Sequence, residues 1–277
     1  NTSFTASSLE HGLSAARNQP LKLQQSTAQS TSSPEILPEV LEKYYPKEAY
    51  LSHTDQAKDL KAKMYLWIKK KNIQTKLHWI SKSRSKGKLL DFGAGNGAFA
   101  QAAQAKGWDV FAFEFSEKAK SLLTQKGIRQ ISESLQKNTF DTITLWHVFE
   151  HLPNQQQQLK RFYEAIVPGG TLVLAIPNHN SWDAKHYGSY WAAYDVPRHL
   201  WHYNRTSITR LAHEAGFNVL KTHNMYWDAF YIALLSEQYR KGSFAWSKAF
   251  FKGLYSNLVG WRKNNTSSLT FILQKLK

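Results

Sequence analysis

The chain has 277 residues, no cysteine and a formal net charge of +16. Its length suits one large domain with appendages and is ample for a buried core, while the missing cysteines exclude disulfides and thiolate metal sites. No apolar run approaches the roughly 18–20 residues that span a bilayer, and the first residues lack an apolar signal segment, so the expectation is a cytoplasmic protein, at most peripheral at the inner membrane surface.

The charge is unevenly placed. Residues 58–88 carry eleven Lys or Arg against one acid, Asp59, and residues 240–277 carry eight against none. Basic flanks of this kind suit solvated helix faces, nucleic acid, anionic lipid or an acidic partner.

Residues 1–33 are rich in Ser, Thr, Gln and Ala and read as loosely attached, with Pro34 and Pro38 at the exit. A segment Val40 to Tyr50 follows, and Ser52-His53-Thr54-Asp55 offers helix-capping chemistry. The apolar stripe Leu60, Met64, Trp67, Ile68, Leu77, Ile80 predicts two helices, 55–71 and 73–82. From residue 88, strands and helices alternate as in a doubly wound parallel sheet. Strands are predicted at Lys88–Phe92, Asp109–Phe113, Ile128–Ile131, Thr139–Trp146, Thr171–Ile176, Asn218–Thr222 and Ser268–Gln274. Helices are predicted at 97–106, 117–126, 155–166 and 207–215, and Pro168-Gly169-Gly170 reads as a turn into the fifth strand.

The boundaries that follow are a flexible segment 1–35, a helical extension 36–86, and an α/β domain 87–277. That domain carries a lid insertion at 177–206 and a helical insertion at 224–266, the latter aromatic and basic. Such an insertion suits packing, a lipophilic acceptor or an anionic membrane surface.

The chemistry centres on Asp91-Phe92-Gly93-Ala94-Gly95-Asn96-Gly97, where a strand ends, three glycines alternate and a helix begins. Glycine lets the backbone turn and a ligand approach its N–H groups, and the helix start offers unpaired donors. Gly93-x-Gly95-x-x-Ala98 also satisfies a dinucleotide fingerprint. A carboxylate at position 91, however, sits badly beside a pyrophosphate, because like charges repel in a partly dry site. Glu114 closes the second strand, where an acid accepts two ribose hydroxyls.

This loop resembles motif I of the class I S-adenosylmethionine-dependent methyltransferases, (D/E)-x-G-x-G-x-G, matched by Asp91, Gly93, Gly95 and Gly97. The stretch from Phe140 through Trp146-His147 to Glu150-His151-Leu152 resembles the family's fourth-strand motif, and Pro168-Gly169-Gly170 its turn into strand five. The similarity extends to about residue 220 and points to the bacterial, ubiquinone-biosynthesis-like small-molecule branch. The resemblance implies a Rossmann-like, seven-stranded, mainly parallel sheet whose last strand is antiparallel. It implies S-adenosylmethionine as cofactor, leaving S-adenosylhomocysteine, held by Asp91 to Gly97 (Phe92, Ala94 and Asn96 included), Glu114, Phe115, Trp146 and His147. It implies no metal. The methyl acceptor is expected to be small or lipophilic and methylated at oxygen.

A neutral hydroxyl acceptor needs its proton removed near neutrality, which suits histidine. The lid reads Tyr190-Trp191-Ala192-Ala193-Tyr194-Asp195-Val196-Pro197-Arg198-His199, and long connections at this edge are usually functional. Asp195, Arg198 and His199 are therefore expected to face the acceptor, with His199 the base and His147 beside it. An aromatic lid packed for stability is the competing reading. The rival functions are a nucleic-acid methyltransferase using the basic flanks, a NAD-dependent dehydrogenase, and a binding module without turnover. An Asn-Pro-Pro-Tyr signature is absent, which argues against methylation of base or amide nitrogens.

Overall fold

The computed structural model describes residues 60–242 and 246–276, with the backbone alone for 60–67 and for residues 24–25 and 31–32. Gln24–Gln25 (β1) and Thr31–Ser32 (β2) pair antiparallel, within a segment expected to be loose. The expected elements at Val40 to Tyr50 and the cap at Ser52 to Asp55 lie outside the described residues. Leu60–Ser83 is one continuous helix, α1, where two had been expected. No Pro or Gly interrupts residues 68–83, and the buried Leu77 and Ile80 pin its second half onto the sheet.

The alternating units follow. They are β3 (Lys88–Phe92), α2 (Ala98–Ala105), β4 (Asp109–Phe113), α3 (Glu117–Gln125), β5 (Arg129–Gln130), β6 (Phe140–Trp146), α4 (Gln155–Ala165) and β7 (Ile166–Pro177). The lid contains α5 (Trp182–Tyr187) and β8 (Trp201–His202), and β8 pairs with β2. Then come α6 (Arg205–Glu214), β9 (Phe217–Asn224), α7 (Tyr226–Lys241), α8 (Trp246–Lys263) and β10 (Ser268–Lys275).

Seven strands form the expected sheet in the order β5-β4-β3-β6-β7-β10-β9. The pairs from β5 to β7 are parallel, and β10 runs antiparallel to both β7 and β9. The carboxyl ends of β3, β4, β6, β7 and β9 therefore share one edge. Helices cover both faces, so Leu89, Leu90, Ile143, Leu145, Leu172 and Leu174 are fully buried, as the apolar character of these strands demands.

Pro168-Gly169-Gly170 does not precede the fifth strand but lies inside it. Phe140 pairs with Ile166, yet Thr142 pairs with Thr171, and the extra residues of β7 are absorbed between those pairs. A side chain at Gly170 would come within 2.9 Å of Asp141 O, which is why glycine serves there. Asp141 in turn accepts from Arg84 Nη2 at 2.8 Å and Lys88 N at 2.9 Å, tying the end of α1 to the sheet.

The helix α8 packs through Ala249, Gly253, Ser256, Asn257 and Gly260. A Cβ on Gly260 would lie 2.9 Å from Thr266 Cα. Gly→Ala inside a helix ordinarily stabilises by about 1 kcal/mol. At Gly260→Ala the close backbone should reverse that sign, with a net loss of about 1–3 kcal/mol in urea unfolding.

Candidate functional site

The glycine loop is pinned to the end of β4: Gly93 N and Ala94 N both donate to Phe113 O, at 2.8 and 3.1 Å. Gly93 has φ +76°, and a Cβ there would come within 2.5 Å of Val148 Cγ2. Gly95, at φ +55°, faces open space with nothing within 4 Å of a built Cβ. The loop is thus tight on its protein side and clear on its outer side. Glu114 braces it, with Oε2 accepting from Gly95 N at 2.6 Å and Oε1 from Phe115 N and Ser116 N at 2.8 and 3.1 Å. Three of the carboxylate's roughly four acceptor positions are filled by backbone. Asn96 Oδ1 accepts from Ala98 N at the start of α2.

Asp91 lies at the end of the central strand and is 2% exposed. Burial pushes its pKa up to about 7, although the Thr144 hydroxyl, donating at 2.8 Å, and the nearby Lys76 ammonium both oppose the shift. Lys76 comes from α1, and its Nζ stands 4.3 Å from the centre of the Trp146 ring. Desolvation lowers its pKa, while Asp228 and Asp91 both attract its charge. Trp146 packs edge-on against Phe99, with ring centroids 5.1 Å apart, and its buried Nε1 has no hydrogen-bond acceptor.

His147 follows with φ 58°, in the left-handed region, while its N–H still donates to Ala175 O. That turn sets the imidazole between two carboxylates, Nε2 at 3.0 Å from Asp228 Oδ2 and Nδ1 at 3.5 Å from Glu150 Oε1. Desolvation alone would depress this imidazole, but the two acids outweigh it and raise the pKa to about 9. His147 therefore carries its proton at neutral pH. Asp228 is held below the usual carboxylate range, since His147 overcomes the opposing effect of its own burial.

A cavity of about 430 Å³ borders Asp228. Asn72, Thr75 and Trp79 of α1, residues 222–228 and Asn264 line it, with Trp79 stacked on His223 at 4.5 Å. Its volume is that of a small-molecule site. Asp228 is on its wall, and His147 reaches it through Asp228.

Asp195, Arg198 and His199 are brought together in the lid but do not line that cavity. Arg198 Nη2 donates to Asp195 Oδ1 at 2.5 Å. His199 Nδ1 donates to Ala193 O at 2.9 Å, and its Nε2 is 3.8 Å from Asp195 Oδ2. Burial, then the neighbouring His151 and His202, hold His199 well below the ordinary imidazole range, so it is neutral at pH 7. Phe92 also differs from its neighbours: its side chain turns into the core against Phe113, leaving only its backbone near the loop. Phe115 is exposed beside the loop.

Four residues of this cluster were given no site role by the sequence: Lys76, Thr144, Glu150 and Asp228. Thr144 carried a signal, as a polar residue in a strand buried on both faces. Lys76 looked like one more solvated lysine, and Asp228 was hidden among the aromatic residues at the start of α7.

A family model described as "Methyltransferase domain" matches residues 63–222. The ubiquinone biosynthesis O-methyltransferase of Dechloromonas aromatica (strain RCB) is 26% identical over 120 residues, covering 38% of this chain and 51% of that protein. The chain thus spans about half the length of that curated relative. The 1,6-didemethyltoxoflavin-N1-methyltransferase of Burkholderia thailandensis, solved with 1,6-didemethyltoxoflavin and S-adenosylhomocysteine, superposes with a TM-score of 0.53 at 13% identity. That match covers 92% of this chain and 99% of that one. A Haloferax volcanii methyltransferase solved with the Trm112 activator gives 0.55 at 11% identity, covering 76% and 92%. At these identities the two structures attest the fold.

Because Asp91 ionises less readily folded than unfolded, its charge opposes folding as pH rises from about 4 to 7. Its contribution to stability is greatest below its unfolded pKa of 3.8 and falls by about 1.4 kcal/mol per pH unit up to its folded value near 7. Asp91→Asn should remove that slope, so the variant gains on the wild type between pH 5 and 8 in urea unfolding without ligand.

Proposed function

The chain belongs to the methyltransferase-domain family, and from that premise we propose that it transfers the methyl group of S-adenosylmethionine to a small or lipophilic acceptor at oxygen. The observation that carries this reading is the buried Asp91 carboxylate beside the open outer side of Gly95, with a cation, Lys76, already drawn toward it. The residues present fit the cofactor. Asp91 would take its amino group, Lys76 its carboxylate, the Gly93–Gly97 backbone its methionine end, and the remaining acceptor position of Glu114 a ribose hydroxyl. The unpartnered Trp146 Nε1 is a further donor at the same edge. When bound, the cofactor supplies an electrophilic methyl on a sulfonium, so alignment of the acceptor provides most of the acceleration.

The acceptor enters the 430 Å³ cavity between α1 and the start of α7. Trp79 and Trp227 offer it ring faces, and Asp228 accepts a hydrogen bond from its hydroxyl. Asp228 would take the proton that the hydroxyl gives up as its oxygen gains the methyl group and the sulfonium loses it, while His147 keeps its own proton and balances the charge. This assignment moves the acceptor-facing role from His199 to Asp228 with His147 behind it, because Asp228 lines the cavity and His147 is paired to it. Oxygen as the acceptor atom is supported by the curated relative, which is named an O-methyltransferase.

The outer face of α8 supports a second contact. Phe250, Phe251, Leu254, Tyr255, Leu258 and Trp261 are 40–66% exposed, with Lys248 and Lys252 along one border and Arg262 and Lys263 at its end. No acidic residue lies on this helix. Such a face suits the interface of an anionic bilayer, on which a lipophilic acceptor resides. No helix among the described residues is long and apolar enough to cross a membrane.

Calorimetry should find binding of S-adenosylhomocysteine and none of NAD. Since the carboxylate form of Asp91 attracts the ammonium, affinity should rise through pH 7, and Asp91→Asn should lose both the affinity and its pH dependence. Binding of NAD instead would overturn the reading. Among phenol and quinol acceptors, Asp228→Asn should lower kcat by about 100-fold while leaving homocysteine-nucleoside binding intact.

Co-sedimentation should occur with phosphatidylglycerol-containing vesicles at low salt and not with phosphatidylcholine alone. Phe251→Ser with Trp261→Ser should weaken it at unchanged stability. Indifference to lipid charge, or to these substitutions, would remove the membrane contact.

A further inference from the structure

The turn after β6 and the lid meet at Glu150, His151 and His199, of which only Glu150 bears on the transfer described above, through its contact with His147. Glu150 is 1% exposed, and neither of its carboxylate oxygens has a hydrogen-bond partner. The nearest cationic group, His147 Nδ1, is 3.5 Å from Oε1, too long for a firm hydrogen bond. Burying an ionised carboxylate this way costs several kcal/mol unless a cation compensates it.

Two imidazoles lie in the same cluster. His151, the next residue, donates Nδ1–H to Arg198 O at 2.9 Å, and His199 donates Nδ1–H to Ala193 O at 2.9 Å. Each of those bonds fixes the tautomer, which places the ring lone pair on Nε2. The rings stand edge to face with centroids 4.6 Å apart. One ligand atom from each of Glu150, His151 and His199 falls within 4.8 Å of the others. A further carboxylate, Asp195 Oδ2, is 3.8 Å from His199 Nε2, held there by Arg198.

We propose that Glu150, His151 and His199 bind a divalent transition-metal ion of the zinc class, which fastens the lid to the turn after β6. Two neutral imidazole nitrogens and one carboxylate oxygen are a donor set for zinc and its neighbours, whereas magnesium and calcium favour all-oxygen shells. Imidazoles that bind such ions characteristically donate their other nitrogen to a carbonyl, as both do here. With bonds of about 2.0–2.2 Å the ligand atoms need to approach one another by only an ångström or so, within reach of side-chain rotation. The ion would bond a carboxylate that no hydrogen bond reaches and tie together segments 48 residues apart, His151 and His199. This proposal shares Glu150 with the His147–Asp228 pair but gives the ion no part in methyl transfer.

The test uses the full chain stripped with chelator, without cofactor or acceptor, and Co²⁺ as the spectroscopic probe. One equivalent of Co²⁺ should give the intense visible bands of a four- or five-coordinate site, and one equivalent of Zn²⁺ should abolish them. Glu150→Gln and His199→Gln should each weaken binding by more than about 100-fold, beyond what loss of an outer-shell partner costs. His186→Gln and His213→Gln, away from the site, should bind as the wild type does. Unfolding of each variant without metal establishes that it is folded, and His151→Gln replaces any that is not. In the wild type Zn²⁺ should also slow amide exchange over residues 192–199. Absence of one-to-one binding, or binding that survives Glu150→Gln and His199→Gln, would overturn the site. Binding with no change in exchange would overturn the fastening of the lid.

Discussion

A carboxyl group at the end of the central strand, almost without solvent, is the constraint on which the rest of this structure depends. Asp91 is enclosed because β3 has a strand on each side and a helix layer on each face. Left alone it would hold a proton in neutral solution. The surrounding residues supply what solvent does not: a hydroxyl from Thr144 on the adjacent strand and a cation from Lys76 on α1. The N-terminal helix is therefore more than a cover. It delivers a charge to the end of the central strands, and the end of that helix is moored through Arg84 to Asp141 and Gly169 O.

The same edge holds two imidazoles in opposite states. His147 sits between Asp228 and Glu150 and is charged, while His199 is buried against a carbonyl and other histidines and is neutral. Residue type alone does not distinguish them; neighbours do. A positive charge beside Asp228 keeps that carboxylate ionised, whereas a neutral imidazole offers a lone pair. The two are joined through Glu150, next to His147 on one side and to the His151–His199 pair on the other. The charge state of one group thus bears on the other across a single carboxylate.

Much of this was legible from residues 88–176, because strand, glycine turn and helix lie in one continuous stretch with fixed spacing. Asp91, Gly93, Gly95 and Glu114 needed no knowledge of distant contacts. The errors arose where tertiary pairing decides. Pro168-Gly169-Gly170 has the composition of a turn, yet a register shift against β6 takes it into the strand. The apolar stripe of α1 seemed to break near residue 72, but Asn72 is polar because it borders a cavity, not because the helix stops. That cavity is built from residues 72–79, 222–228 and 264, which no local pattern links. The lid concentrates aromatic and histidine chemistry in one stretch of sequence, whereas Asp228 stands alone among aromatics.

The helix α7 links these regions mechanically. Its first turn contributes Tyr226, Trp227 and Asp228 to the cavity. Its second half holds the lid, where Ala192 N donates to Ser236 Oγ at 2.9 Å and the Tyr187 hydroxyl to Glu237 at 3.3 Å. Its partner α8 lies so close, with a Cβ on Gly253 only 3.0 Å from Phe230 Cα, that small residues fill the shared face. The large aromatics of α8 then have no place inside and are turned outward. An ordinary surface helix buries its bulky residues and exposes small or charged ones. This helix does the reverse, and the close packing of its inner face explains why it can: the hairpin is held by backbone proximity, so its bulky residues can turn outward.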